Sequence, residues 1–122
     1  MYEEPMRYIN NAIAILKDKA IKNENLYQDK KYVKMAGNTI WNGVLVALEE
    51  KYPEIKAKSK SRPDVNDYRK VIATKNRTLL NQFNTAYETA HLSMGYDGNL
   101  GVYVAQQALV CSKKIINWIY NK

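Results

Sequence analysis

The sequence has one cysteine and one histidine among its 122 residues, which excludes most metal chemistry. A zinc or iron site within one chain needs several ligands drawn from Cys, His, Asp and Glu. Di-iron helical bundles use two Glu-x-x-His motifs, and a chain with one histidine cannot supply two. We therefore expect no metal and no cofactor. A single cysteine, Cys111, also excludes an internal disulfide and fits a reducing compartment.

Long apolar runs are missing as well. The longest has five residues, whereas a bilayer-spanning helix needs about 20. The first residues, Met-Tyr-Glu-Glu-Pro, are acidic where a signal peptide would be basic. These features predict a cytoplasmic protein that does not associate with membranes.

Glycine and proline together occupy only eight positions, and hydrophobic residues make up 46% of the chain. No segment alternates polar and apolar residues, whereas four segments repeat apolar residues every three or four positions. The sequence therefore predicts an all-α protein, with residues 1–122 forming one domain built as an antiparallel four-helix bundle. The predicted helices are Glu4–Asn23, Gln28–Lys51, a third from Pro63 to Met94, and Asn99–Asn121.

Several positions refine this prediction. The basic stretch Glu54–Arg62 reads as an exposed linker between helices two and three. Gly37 and Gly43 lie inside helix two, where each costs about 1 kcal/mol relative to Ala, so we expect close approach of a neighbour there. Either Ser61 or Asp64 can cap helix three, which we expect to stop at Gly95. Asn76 falls where the apolar stripe of that helix predicts an apolar residue, and Asn99 suits the N-cap of helix four.

Acidic residues are scarce in the second half of the chain, and the net charge is +7. Only Glu88 and Asp97 follow Tyr68, and a positive surface attracts phosphate backbones or acidic partners. Solubility alone is also a sufficient reason for a net charge away from zero. The candidate phosphate contacts are Arg69, Lys70, Lys75, Arg77, Lys113 and Lys114.

The one histidine lies in the most distinctive stretch, His91-Leu-Ser-Met-Gly-Tyr-Asp-Gly-Asn-Leu-Gly101. Near a helix end a histidine can cap free carbonyl groups, and the alternative is an acid–base or phosphate-binding role. Tyr87 precedes it by one helical turn. The candidate ligand or partner surface therefore comprises His91, Tyr87, Tyr96, Asp97 and Asn99.

No nucleophile carries a catalytic signature. Cys111 falls on the apolar stripe of helix four and is expected to be buried and inert. No Gly-x-Ser-x-Gly elbow occurs. Ten tyrosines are many for this length, and tyrosines often line interfaces, although a preference for Tyr over Phe explains them equally well.

Three blocks carry a resemblance: Tyr27-Gln-Asp-Lys-Lys-Tyr-Val-Lys-Met-Ala-Gly-Asn38, Gly43-Val-Leu-Val-Ala-Leu-Glu49 and His91 to Leu100. They resemble a small bacterial all-helical family known only as a domain of unknown function, and the likeness covers nearly the whole chain. It implies a four-helix fold and no particular activity.

The predicted architecture is more loosely similar to HEPN-type bundles and to the bundles that accompany small nucleotidyltransferases. That similarity implies dimerisation and a nucleotidyltransferase partner. HEPN ribonucleases carry an arginine four to six residues before a histidine, whereas the nearest arginine upstream of His91 is Arg77, 14 positions away.

These observations leave three hypotheses. The first is a non-catalytic bundle that associates with another protein, most simply as a homodimer. It is supported by the absence of catalytic motifs, by the excess of tyrosine and by a wide apolar stripe on helix four, which includes Leu109, Ile116 and Ile119. The second is a basic module that binds nucleic acid or nucleotide, similar to a HEPN bundle without the ribonuclease motif. The third is an enzyme centred on His91, Tyr96 and Asp97, which the absence of catalytic motifs makes the weakest of the three.

Overall fold

The computed structural model describes residues 1–57 and 61–122, and the chain is almost entirely helical. The α-helices are α1 (Glu3–Ile15), α2 (Lys30–Lys51), α3 (Glu54–Ala57), α4 (Val65–Ala73), α5 (Arg77–Ala86) and α6 (Val102–Tyr120). Two π-helical segments extend α1 and α5: π1 (Leu16–Ala20) and π2 (Tyr87–Tyr96). Strands β1 (Lys22–Asn23) and β2 (Leu26–Tyr27) form a short antiparallel ribbon.

The all-α class is confirmed, but the division into four helices is not. The third predicted helix is broken into α4 and α5 at Asn76, whose backbone is extended and whose side chain accepts a hydrogen bond from the Leu79 amide. Asparagine is among the strongest N-capping residues because its side chain satisfies an amide that the first turn leaves free. Asn76 is therefore a helix cap, and the prediction that it lies within the apolar stripe of one continuous helix was wrong.

Of the other predictions about helix ends, one is confirmed and two are wrong. Asp64 caps α4 and forms a reciprocal capping box with Asp67, so of the two residues proposed for that end the structure selects Asp64. The helical backbone does not stop at Gly95. It continues to Tyr96, and in the turn that follows, Gly98 has a left-handed backbone, at φ 66°. Helix α6 begins after Gly101, whose amide donates to the Asn99 side chain, so Asn99 organises this turn without being the N-cap.

The segment predicted as an exposed linker, Glu54–Arg62, is only partly exposed. Its first residues form the single turn of α3, and Ile55 is fully buried. An apolar side chain placed in this basic stretch anchors it to the core. The central part of the predicted linker, residues 58–60, lies outside the described residues.

Helix α2 lies at the centre of the packing and contacts α1, α6 and π2. Glycine permits the closest of these approaches. A Cβ added at Gly37 would lie 2.5 Å from Met94 Cβ and 2.6 Å from the Ala90 carbonyl oxygen, and one added at Gly43 would lie 2.9 Å from Tyr8 Cβ. The predicted close approach at both glycines is confirmed, with π2 as the neighbour of Gly37 and α1 as the neighbour of Gly43.

The ribbon fixes the turn that follows π2. The Tyr27 amide donates to the Leu100 carbonyl oxygen, and the Val102 amide donates to that of Asn25. These bonds hold the Gly-rich turn between π2 and α6 against the loop between α1 and α2. The stretch from His91 to Gly101 is therefore a tight junction, as expected, although its first half is π-helical.

Candidate functional site

The predicted site residue His91 lies beside a cluster of aromatic rings contributed by α2, α5 and π2. Its imidazole stacks on Trp41, with ring centroids 5.4 Å apart and planes 28° apart, and Tyr87 lies 5.4 Å away on its own segment. Trp41 in turn contacts Tyr87 and Phe83, at 5.6 Å and 5.2 Å. Separations of this size are typical of favourable aromatic pairs.

The π-helical backbone places these rings. Segment π2 begins at Tyr87, directly after α5, and widens the helix where it faces Gly37. π-Helical turns are uncommon and occur frequently at functional sites. Because Gly37 has no side chain, π2 approaches α2 closely enough for His91 to stack on Trp41, which lies one turn further along α2.

His91 and Tyr87 line a cavity of about 600 Å³, within the size range of ligand pockets. Trp41 and Glu49 of α2 line it as well, together with Tyr8 of α1 and Tyr68 of α4. Basic side chains come from two further residues, Lys56 of α3 and Arg62. We call this space the aromatic cavity.

The carboxylate in the aromatic cavity is already neutralised in part. The Tyr68 hydroxyl donates to Glu49 Oε2 at 2.7 Å, and Lys56 Nζ lies 3.5 Å from Glu49 Oε1. Burial and this hydrogen bond raise the pKa of the Tyr68 phenol above its usual value, so the phenol stays neutral. Arg62 makes no ion pair with any residue of the described ranges. The cavity lining therefore carries a net positive charge.

One polar atom at this site lacks a partner. His91 Nδ1 is buried, and no group within residues 1–57 and 61–122 donates to it or accepts from it. Burial lowers the pKa of His91, which favours the neutral ring. A neutral imidazole has one donor nitrogen and one acceptor nitrogen, and an unsatisfied buried polar group costs about 1–3 kcal/mol.

The remaining predicted surface residues lie elsewhere. Tyr96 is 76% exposed, Asp97 is exposed at the end of π2, and Asn99 bonds the turn before α6. None of the three lines the aromatic cavity. The structure thus brings together two of the five predicted residues, His91 and Tyr87. The three residues of the enzyme hypothesis, His91, Tyr96 and Asp97, therefore do not line this cavity together.

The six candidate phosphate contacts differ in how they are engaged. Arg69 donates to Asn84 and Asn66 and lies over the Tyr87 ring, with 4.9 Å from guanidinium carbon to ring centroid. Lys75 pairs with Glu54 at 3.3 Å. The other four have no carboxylate partner among the described residues: Lys70, Arg77, Lys113 and Lys114.

Sequence reasoning missed most of the cavity lining. Trp41 and Glu49 lie two turns apart on one helix, and nothing in their spacing connects them to Arg62 or Tyr8. The excess of tyrosine was a usable signal, since Tyr8, Tyr68 and Tyr87 all line the cavity. It did not separate them from Tyr96 and Tyr103, which are exposed.

Cys111 is buried, as predicted. Its thiol donates to the Gln82 carbonyl oxygen at 2.9 Å, and burial raises the thiol pKa. In the described part of the chain no group of three or more His, Cys, Asp and Glu side chains is arranged to hold a metal ion. None of the helices within these ranges is both long and apolar enough to cross a bilayer.

Comparison with known proteins identifies the family of this chain. A family model described as a domain of unknown function, DUF5618, matches residues 1–121. The chain belongs to the DUF5618 family. This confirms the predicted resemblance to an all-helical family of unknown function.

A solved structure described as a protein of unknown function from Dyadobacter fermentans shares 41% identity with the chain, at a TM-score of 0.92. The match covers 98% of this chain and 94% of the other. No curated protein matches significantly. Neither DUF5618 nor the Dyadobacter protein is described as a HEPN-type protein, so that resemblance remains a hypothesis.

Proposed function

We propose that this DUF5618 protein is a non-catalytic helical domain that acts by binding a second copy of itself. The observation that supports this proposal is a row of exposed apolar side chains on α6: Tyr103, Val110 and Trp118 are 69%, 53% and 44% exposed. They follow one another at intervals of seven and eight residues, which is about two helical turns each. They therefore lie on one face, opposite the buried side of the helix.

The sequence predicted self-association partly from a wide apolar stripe on this helix, but most residues of that stripe are buried in the core of the chain itself. Ile116 and Ile119 are buried, and Leu109 is half-buried against the core. The exposed row is a different set of residues. We call it the α6 face, and two of its residues, Tyr103 and Val110, line a groove of about 410 Å³ between α5 and α6.

The α6 face offers a second copy a contact area that carries little charge. Each chain carries a net charge of +7, so two copies repel one another over most of their surface. Around the groove the neighbouring side chains are uncharged apart from one lysine: Gln82, Thr85, Gln106, Gln107 and Lys114. Amide and hydroxyl groups can pair across a two-fold axis, and apolar side chains form the centre of such interfaces.

Sedimentation at micromolar concentration tests the proposal. We expect a particle of about twice the 14.1 kDa chain mass, and we expect Val110→Glu to give the monomer because it buries a charge in the interface. Met35→Glu is the matched control, since Met35 is an apolar residue of α2 that is 46% exposed. A monomeric wild-type chain, or equal dissociation by both variants, would contradict the proposal. A homodimer does not preclude a further protein partner such as a nucleotidyltransferase.

The alternative function is binding of nucleic acid through the basic surface, as in a HEPN bundle without the ribonuclease motif. It is supported by the net charge and by Lys70, Arg77 and Lys114, which are exposed and have no carboxylate partner among the described residues. Binding through phosphates weakens steeply with salt. Retention of RNA at 50 mM salt that is lost at higher salt, and reduced by Arg77→Ala, would favour this function over self-association alone.

A further inference from the structure

We propose that the aromatic cavity binds a nucleotide, with the base against Tyr87 and His91 and the phosphate at Lys56 and Arg62. This site is distinct from the α6 face and does not depend on self-association. It also differs from the basic surface, because none of the six predicted phosphate contacts lines it.

The rings indicate a planar aromatic group. Trp41 and His91 stack on one another, and Tyr87 completes the cluster at the wall of the cavity. Aromatic side chains bind nucleobases by stacking. Trp41 is only 7% exposed beneath its aromatic neighbours, so the half-buried rings of Tyr87 and His91 are the ones that a base can contact.

The charges indicate an anion. Glu49 is the carboxylate of the cavity; it pairs with the ammonium of Lys56, and Arg62 lines the same cavity. A quaternary ammonium ligand would also suit aromatic rings, but two cations against one carboxylate disfavour it. Guanidinium groups bind phosphate through two parallel hydrogen bonds, and Arg62 has no ion pair within the described ranges.

The aromatic rings and the Glu49–Lys56 pair lie at different positions along α2. Trp41 and Glu49 are eight residues apart on α2, which corresponds to about 12 Å along the helix axis. His91 stacks at the Trp41 position, and Lys56 pairs at the Glu49 position. A ligand with an aromatic ring at one end and an anionic group at the other therefore matches the cavity, and a nucleotide has this form.

Isothermal titration calorimetry with the four ribonucleoside monophosphates and the four triphosphates tests the proposal. We expect at least one of the eight to bind with a dissociation constant below 1 mM (~−4 kcal/mol). The nucleoside of that nucleotide and inorganic phosphate alone should each bind at least about tenfold more weakly, because each satisfies only one end of the cavity. If none of the eight binds, or phosphate alone binds as well, the proposal is wrong.

Two matched variants locate the site. Arg62→Ala should weaken binding by about tenfold or more through loss of a charge-assisted contact, whereas Arg77→Ala, an exposed arginine outside the cavity, should leave it unchanged. Equal effects of the two would assign the binding to the basic surface and overturn the cavity site. His91→Gln should also weaken nucleotide binding. Arg62→Ala should leave the thermal midpoint of unfolding unaltered. Sedimentation of Arg62→Ala distinguishes this proposal from self-association, because its oligomeric state should match the wild type.

Discussion

The close contact of α2 with π2 at Gly37 gives a sharp quantitative prediction. An added Cβ would meet Met94 Cβ at 2.5 Å, the Ala90 carbonyl oxygen at 2.6 Å and the Gly95 amide nitrogen at 2.7 Å. These distances are roughly 1 Å shorter than the ~3.5 Å optimum for non-bonded carbon atoms. All three neighbours are backbone atoms or a Cβ, so none can rotate away, and Gly37→Ala must push π2 off α2.

The expected magnitude is the difference between two opposing contributions. Overpacking costs about 1–3 kcal/mol, and three simultaneous contacts place Gly37→Ala at the upper end of that range. Alanine in a helix interior regains about 1 kcal/mol of helix propensity. The net loss should be about 2 kcal/mol in the free energy of unfolding.

Denaturant unfolding followed by circular dichroism measures this loss, with two glycine variants as controls. Gly43→Ala should cost less than Gly37→Ala, since its nearest contact is 2.9 Å. Gly101→Ala should change stability by under about 1 kcal/mol, because its φ of −65° suits alanine and its closest neighbour is a side-chain oxygen at 3.1 Å. If Gly37→Ala stabilises the protein, as helix propensity alone would predict, α2 and π2 do not approach as described.

Three further predictions concern single residues. Asn76→Ala should lower the free energy of unfolding by about 1 kcal/mol, because the Leu79 amide loses its cap. Asn81→Ala, at an exposed position of the same helix, should have little effect. Equal losses in the two variants would argue against the cap. Burial lowers the pKa of His91 from its usual 6.5, so His91 binds a proton more readily in the unfolded chain than in the folded one. The free energy of unfolding should therefore fall as the pH decreases through about 6.5. His91→Gln should flatten that part of the stability profile, and an unchanged slope would show that His91 is not the group responsible. Cys111, buried and hydrogen-bonded to Gln82, should react with a thiol reagent far more slowly in the native protein than in denaturant, and equal rates would show that the thiol is accessible.

The sequence could predict features that depend on local chemistry. Apolar periodicity indicated the helices around Ile9, Ile40 and Ile115, because a 3.6-residue repeat needs no knowledge of the neighbours. The burial of Cys111 followed from its place on such a stripe. The glycines inside α2 indicated close approach, because a helix retains residues of poor propensity there for a structural reason.

Only the tertiary structure decided which surfaces those helices create. From the sequence pattern, Asn76 could lie inside one long helix or cap the start of a second one. Only the extended backbone at this position distinguishes the two roles. The tyrosines look alike in sequence, yet Tyr87 lines the aromatic cavity and Tyr103 lies on the α6 face. Trp41 and Glu49 come from α2, whereas His91 and Arg62 come from other parts of the chain. The packing of π2 against Gly37 brings Trp41 and His91 together. Periodicity specifies which side of a helix is buried, but which side chains meet depends on how the helices pack in three dimensions.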